Sequence, residues 1–319
     1  MPSWILKAAV QKAFTVMPGT HFWNQIFQRY VTRSLRLDGD EFRRKIRICQ
    51  THLRNYFAER PHKGRPSCFE LGTGWYPIVP IGLWLCGASE VHTFDVADLI
   101  DSSRIITVAR LFREIAESGI LPGLLPLASR DRIAILEENC LADLGAWGPD
   151  DLLRSFHVVR HFGRIQDLTL GPCSVDLFVS NETLEHVPED AITACFRRFR
   201  KFASPQAKMS HFINLQDHYA NYDKTISPYN FLRYSKSMWR LYNNSLHYQN
   251  RLRLSEYFAL HKNAGWKIVR VEPESGDIDE VRREPIHEEF RRFQIDDLAV
   301  KTAWITSVVD EDYSRSPHE

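Results

Sequence analysis

The 319-residue chain has no charge excess, no close cysteine pair, no internal repeat and no apolar run of membrane length. Its 41 Lys and Arg stand against 40 Asp and Glu, a formal net charge of +1. That balance argues against a chain that holds nucleic acid by bulk charge. The six cysteines, Cys49, Cys68, Cys86, Cys140, Cys173 and Cys195, are never closer than 18 residues (Cys86 − Cys68). No Cys-x-x-Cys zinc or redox pair therefore exists. Reduced thiols in a cytoplasmic compartment are expected, with Cys68 and Cys173 as small core hydrophobes. No stretch reaches the ~18 consecutive apolar residues of a membrane span. The chain is 44% hydrophobic and 25% charged, an ordinary globular composition that needs no staple at this length.

Residues 1–60 read as an N-terminal helical extension. Trp4, Ile5, Leu6, Ala8, Ala9, Val10, Ala13, Phe14 and Val16 make an apolar face. It lacks the long apolar region and cleavage site of a secretory signal. Such a helix packs on its own domain or lies peripherally on the inner surface of a membrane. Pro18-Gly19 ends it, and helical spacing returns over His21–Val31 and Asp40–Tyr56. The polar stretch from Arg60 to Pro66 is the expected boundary, with a second domain over 61–319.

That second part alternates strand and helix. Strands are expected at Ser67–Leu71, Glu90–Val96, Val175–Ser180, Ala207–Leu215, Trp266–Val271 and Leu298–Val309. Helices are expected at Tyr76–Cys86, Ile100–Ser118, Arg132–Leu141, Asp150–Phe156, Pro188–Phe202 and Ser255–Ala264. The alternation implies an α/β fold, a mainly parallel sheet with helices on both faces. Arg197, Arg198, Arg200 and Lys201 form a basic run that reads as a solvated helix face.

The most informative run is Glu70-Leu71-Gly72-Thr73-Gly74, between a strand and a helix. Glycines there let the backbone turn tightly and approach a ligand. A dinucleotide fingerprint wants a third glycine three residues on, but Pro77 stands there, and Glu70 would repel a pyrophosphate. Asp95 follows Gly74 by 21 residues, at the end of the next strand, where a carboxylate accepts both hydroxyls of a ribose. The pair suits a nucleoside ligand without phosphate that carries positive charge near Glu70.

With Asp95, Val175-Asp176-Leu177-Phe178-Val179-Ser180, Asn250–Ser255 and Asn263-Ala264-Gly265-Trp266 in order, the chain resembles a class I S-adenosylmethionine-dependent methyltransferase over roughly 66–310. The resemblance implies a Rossmann-like, doubly wound seven-stranded sheet and S-adenosyl-L-methionine as cofactor. It implies contacts from Glu70, Leu71, Gly72, Thr73, Gly74 and Asn181, with Asp95 on the ribose. The acidic residue that the family places near the adenine would fall at Arg164, which leaves Asp167 as the nearest carboxylate.

After the fourth strand comes Asn181-Glu182-Thr183-Leu184-Glu185-His186. In a helical turn Glu182, Glu185 and His186 share a face and suit Mg²⁺ or Mn²⁺. The pattern also resembles metal-dependent members of the superfamily, in which a later histidine completes the site; here the fifth strand offers His211, with Asp217 and His218 just after it. Such a cation lowers the pKa of an acceptor hydroxyl. A metal-free general base at His186 or His211, or a purely structural turn, fits the same residues. Residues 216–250, rich in Tyr, Trp, Asn and Asp, read as a lid. Their composition suits a small-molecule or glycan hydroxyl as acceptor; a small phenol or amine, or a non-catalytic scaffold, are the alternatives.

Overall fold

The computed structural model describes residues 3–15, 37–58, 64–141, 147–244 and 247–313. The helix expected over His21–Val31, its Pro18-Gly19 boundary and most of the Arg60–Pro66 stretch lie outside the described residues. Among the described residues no helix is long and apolar enough to cross a membrane.

The sheet has seven strands: β1 (Ser67–Leu71), β2 (Glu90–Asp95), β3 (Val158–Phe162), β4 (Val175–Asn181), β5 (Ala203–Asn214), β6 (Trp266–Ser275) and β7 (Val300–Val309). Their order is β3-β2-β1-β4-β5-β7-β6. The five strands from β3 to β5 pair in parallel, and β7 runs antiparallel to both β5 and β6. This is the doubly wound α/β architecture that the resemblance implies. Six strands lie where their apolar runs predict them. β3 has no such run: it is an edge strand, only its first residue is fully buried, and edge strands do not need two apolar faces.

Strand parity sorts the side chains onto two faces. On one face Cys68, Val91, Leu177 and Val179 pack under α2 (Gly39–Phe57), α3 (Ile78–Leu85) and α4 (Ser102–Glu117). On the other Phe69, Leu71, Phe178 and Met209 pack under α5 (Glu189–Phe202) and α6 (Leu254–Asn263). Helix α2 is amphipathic and buries Phe42, Ile46, Cys49, Leu53 and Tyr56 in the first of these cores. It starts at Asp38, whose carboxylate accepts from the N–H groups of Asp40 and Glu41, a standard N-cap strengthened by acidic residues in the first turn. Although it precedes the polar stretch, α2 is continuous with the sheet's core.

A third core joins α1 (Ser3–Thr15), the lid and the chain before β7. Trp4 is buried against Tyr219, Tyr234 and Tyr242, with ring centroids 4.8–5.8 Å apart. Its backbone N–H donates to Asp223 Oδ2, and Lys12 donates to the carbonyls of Arg240 and Leu241. α1 thus packs on its own chain, and Trp4 and Ala8 are covered by protein. Four of the lid's aromatics are core: Tyr219, Tyr229, Phe231 and Trp239 are buried. Those four present no ring face to a sugar, whereas Tyr222 is exposed. Cys68 is buried as expected, whereas Cys173 is exposed in a left-handed turn (φ 55°) and is no core residue. Among the described residues Cys49, Cys68, Cys86, Cys173 and Cys195 are free thiols.

Trp4→Ala removes the centre of the third core. It should cost about 3 kcal/mol, read as a lower thermal midpoint, with faster proteolysis within 216–250 as the local signature.

Candidate active site

The C-terminal ends of β1 and β4 face a cavity of about 340 Å³ roofed by α2. Parity points Glu70 of β1, Asn181 of β4 and Ser210 of β5 toward that helix. A buried chain of hydrogen bonds connects them. Asn181 Nδ2 donates to Glu70 Oε1 (3.1 Å), and Asn181 Oδ1 lies 2.6 Å from His52 Nε2. An amide oxygen only accepts, so Nε2 carries the imidazole proton. His52 Nδ1, 2.9 Å from Ser210 Oγ, then accepts from the hydroxyl. Burial lowers the His52 imidazole to about 4, so the ring is neutral, as the chain requires.

Glu70 is only 3% exposed, and its second oxygen, Oε2, has no hydrogen-bond partner. Burial pushes its carboxyl up to about 7. A buried carboxylate oxygen without a donor is costly unless a cation reaches it. Beside it Gly72 and Gly74 adopt φ of 78° and 71°. A Cβ on Gly72 would lie 2.3 Å from the Thr183 side chain, so only glycine fits there. Gly74 N–H donates to Asp95 Oδ2 (3.1 Å), and Val96 N–H to Asp95 Oδ1 (2.7 Å). Burial raises the Asp95 carboxyl, partly offset by these backbone donors. The Ala97 N–H acts on the same carboxylate, which keeps acceptor capacity toward a ligand hydroxyl. Glu70, Gly72, Thr73, Gly74 and Asn181 line the cavity. The Leu71 side chain is core and faces away. Asp167 is mostly exposed, pairs with Arg164 at 3.9 Å, and lines a separate crevice beyond β2 with Phe94 and His161.

The second half of the site departs from the expected ligand set. A 3-10 turn spans Leu184–His186 only. Glu182 precedes it in the left-handed region (φ 49°) and turns its carboxylate to Arg44 at 2.8 Å and Lys45 at 3.5 Å. It shares no helical face with Glu185 and His186. His211 is also excluded, by parity: its neighbour Ser210 faces α2, so His211 faces α5. There it bonds Ser180 Oγ at 2.7 Å and stacks on Phe196. It is fully buried away from the cavity, which rules it out as catalytic base or ligand.

His218 takes the place expected for His211. Glu185, His186 and His218 bring one ligand atom each to within 4.8 Å of one another. Glu185 Oε1 accepts from Asn214 N–H (3.3 Å), while Oε2 is buried without a partner. Burial holds its carboxyl well above the usual range. His186 Nδ1 lies 2.7 Å from the Tyr248 carbonyl oxygen, so Nδ1 donates and Nε2 keeps the lone pair. Burial lowers His218 to about 3, a neutral imidazole, and its Nε2 is unpartnered. The ring of His247 is 6.0 Å from that of His218. Asn250 clamps the turn, donating from Nδ2 to Leu184 and Val187 and from its N–H to the Glu185 carbonyl. Neutral imidazoles around an orphaned carboxylate oxygen fit a divalent cation.

The sequence reading passed over His52, Arg44 and Lys45 because α2 precedes the polar stretch. His218 is named there only as following His211 and Asp217, and His247 is absent because it sits in lid text without strand or helix periodicity.

Glu70 binds a cationic group only when ionised, and its carboxyl titrates near 7. Affinity for S-adenosylhomocysteine should rise as pH climbs from 6 to 8, and this rise should vanish in Glu70→Gln. Calorimetric titration across that range checks it.

No family model matches the chain, and no curated protein matches it. Solved structures do. Magnesium protoporphyrin IX methyltransferase from Synechocystis PCC 6803 with bound SAH is 11% identical at a TM-score of 0.42, over 95% of this chain and 99% of that one. A SAM-dependent methyltransferase from Leishmania major is 11% identical at 0.43, over 96% and 82%. Geranyl diphosphate C-methyltransferase from Streptomyces coelicolor A3(2) is 10% identical at 0.42, over 83% and 79%. These likenesses concern the fold alone.

Proposed function

We propose that the chain is an S-adenosylmethionine-dependent methyltransferase that methylates an acceptor hydroxyl held beneath the lid, next to Glu185, His186 and His218. One observation carries this reading: the buried, unpartnered Oε2 of Glu70 beside two positive-φ glycines, next to Asp95. That arrangement asks for a ligand with a cationic end and a ribose, and it repels a phosphate. When bound, the cofactor supplies a methyl group on a sulfonium, already a good leaving group. The chain's work is then positioning and deprotonation. Glu70 takes the ammonium, Asp95 the ribose hydroxyls, and Asn181, fixed by His52, keeps Glu70 aimed.

Glu185, His186 and His218 are the residues that would hold a divalent cation. Two imidazoles and one carboxylate favour Mn²⁺ or Zn²⁺ over Mg²⁺. A cation there lowers the pKa of a bound hydroxyl. Without one, His186 serves as general base through Nε2, since Nδ1 is tied to Tyr248. The acceptor class is a vicinal diol on any skeleton. A glycan qualifies by its hydroxyls, without stacking on the lid's aromatics.

Titration with S-adenosylhomocysteine tests the cofactor. Binding that falls at least about tenfold in Asp95→Ala, with the fold intact, is the expected result; no binding to the wild type overturns it. A separate Mn²⁺ titration should give an isotherm that disappears in Glu185→Ala and in His218→Ala and survives His211→Ala. An unchanged isotherm in Glu185→Ala overturns the cation assignment.

A further inference from the structure

The cavity beside Glu70 has a second wall of opposite charge. Arg44 and Lys45 line it together with Glu41, Glu70 and Glu182. Arg44 is anchored from its own helix: Nε and Nη2 donate to Glu41 at 2.7 and 2.8 Å. Nη2 also donates to Glu182 Oε2 at 2.8 Å, and Lys45 Nζ lies 3.5 Å from the same oxygen. Nη1 of Arg44 has no partner among the described residues. Glu182 reaches this position from a left-handed backbone that is uncommon for a non-glycine residue. Its N–H is held by the Phe212 carbonyl at 2.9 Å.

The charges on this wall do not balance. Three carboxylates, of Glu41, Glu70 and Glu182, stand against two cations, of Arg44 and Lys45. The amino-acid end of the cofactor brings one charge of each sign. Its ammonium suits Glu70 Oε2. Its carboxylate suits Arg44 and Lys45, the cations among the cavity's side chains, and both already face Glu182. Two carboxylates at one guanidinium repel each other in a partly buried site.

Resting on the cofactor reading above, we infer that Arg44 and Lys45 bind the carboxylate of the cofactor's amino-acid end, and that Glu182 competes with that carboxylate for them. Glu182 is then a built-in occupant of the ligand's place, and cofactor loading weakens the Arg44–Glu182 pair. The opposite arrangement, with Glu182 bracing Arg44 for the ligand, predicts the opposite sign when Glu182 is neutralised. Glu41 keeps the guanidinium placed in either case, so removing Glu182 does not release Arg44.

The experiment is calorimetric titration of the full chain and its variants with S-adenosylhomocysteine and with its decarboxylated analogue, with thermal melts as a check on folding. Arg44→Gln should bind S-adenosylhomocysteine about tenfold more weakly and the decarboxylated analogue as the wild type does. Glu182→Gln should bind S-adenosylhomocysteine about threefold more tightly, with no gain for the analogue. Equal losses for both ligands in Arg44→Gln, or weaker binding in Glu182→Gln, overturn the inference. If Arg44→Gln does not fold, the sign of the Glu182→Gln change decides it. Failure of the wild type to bind S-adenosylhomocysteine is a different result, and it overturns the cofactor reading itself.

Discussion

Everything at the site depends on a buried carboxylate that has half a set of partners. Glu70 Oε1 accepts from Asn181, the Thr73 hydroxyl also acts on the carboxylate, and Oε2 has no partner within bonding geometry. An isolated ionised carboxylate in such a place neutralises by a shift in pKa, and the Glu70 carboxyl is indeed pushed up to about 7. The cost is held in place by neighbours that cannot move independently. Asn181 is oriented by His52, and His52 by Ser210, so strands β1, β4 and β5 and helix α2 share one polar chain. Fully satisfied buried networks of this kind rigidify a core. Here the links from Asn181 to Ser210 are made, and two oxygens are left without a partner, Asn55 Oδ1 behind Ser210 and Glu70 Oε2; a ligand with a cationic end is the natural completion at Glu70.

The same geometry explains what could be read from the sequence. Glu70, Gly72, Gly74 and Asp95 were legible because each answers a local requirement: a tight turn, a strand end, a carboxylate at a fixed interval. Five of the seven strands were legible because each needed a clear apolar run, and β6, an edge strand buried only at Trp266, was legible from its short run Trp266–Val271. β3 was not, since an edge strand is relieved of that need. His211 was misplaced by a single residue of register. On β5 its neighbour Ser210 points to the site and His211 points to Phe196, and a one-residue step reverses the face of every side chain in a strand. Glu182 was misplaced because a helical turn was assumed where the backbone turns left-handed.

The lid shows a different limit. Tyr, Trp, Asn and Asp suit either a sugar or a small hydrophobic core with capped loops. Composition does not separate the two. The described structure uses them for the second purpose: Tyr219 and Trp239 pack with Trp4, Asp217 accepts from Asn230 and from the Tyr219 N–H, and Asp223 accepts from Trp4. Buried Arg251 and Arg253 donate to the carbonyls of Phe231, Tyr234 and Leu215 and so pin the lid to the sheet. The lid carries two imidazoles, His218 and His247, over the turn at Glu185, with ring centroids 4.8 and 6.5 Å from that of His186.

The site therefore has two halves with one polypeptide hinge between them, the segment Asn181–Glu185. Asn181 belongs to the Glu70 side and Glu185 to the histidine side, and Glu182 stands between them bonded to α2. The left-handed turn at Glu182 makes this division possible. A helical backbone from residue 182 would have swung its carboxylate round to the face of Glu185 and His186, and three acidic or imidazole groups would have crowded one side while Arg44 and Lys45 faced an uncompensated wall. Instead the carboxylate is delivered to the cations of α2, while its charge still acts on Glu185, His186 and His218. One strained residue thus sets the charge on both sides: it lowers the net positive charge that α2 brings to the cavity, and it keeps the second centre to a single carboxylate.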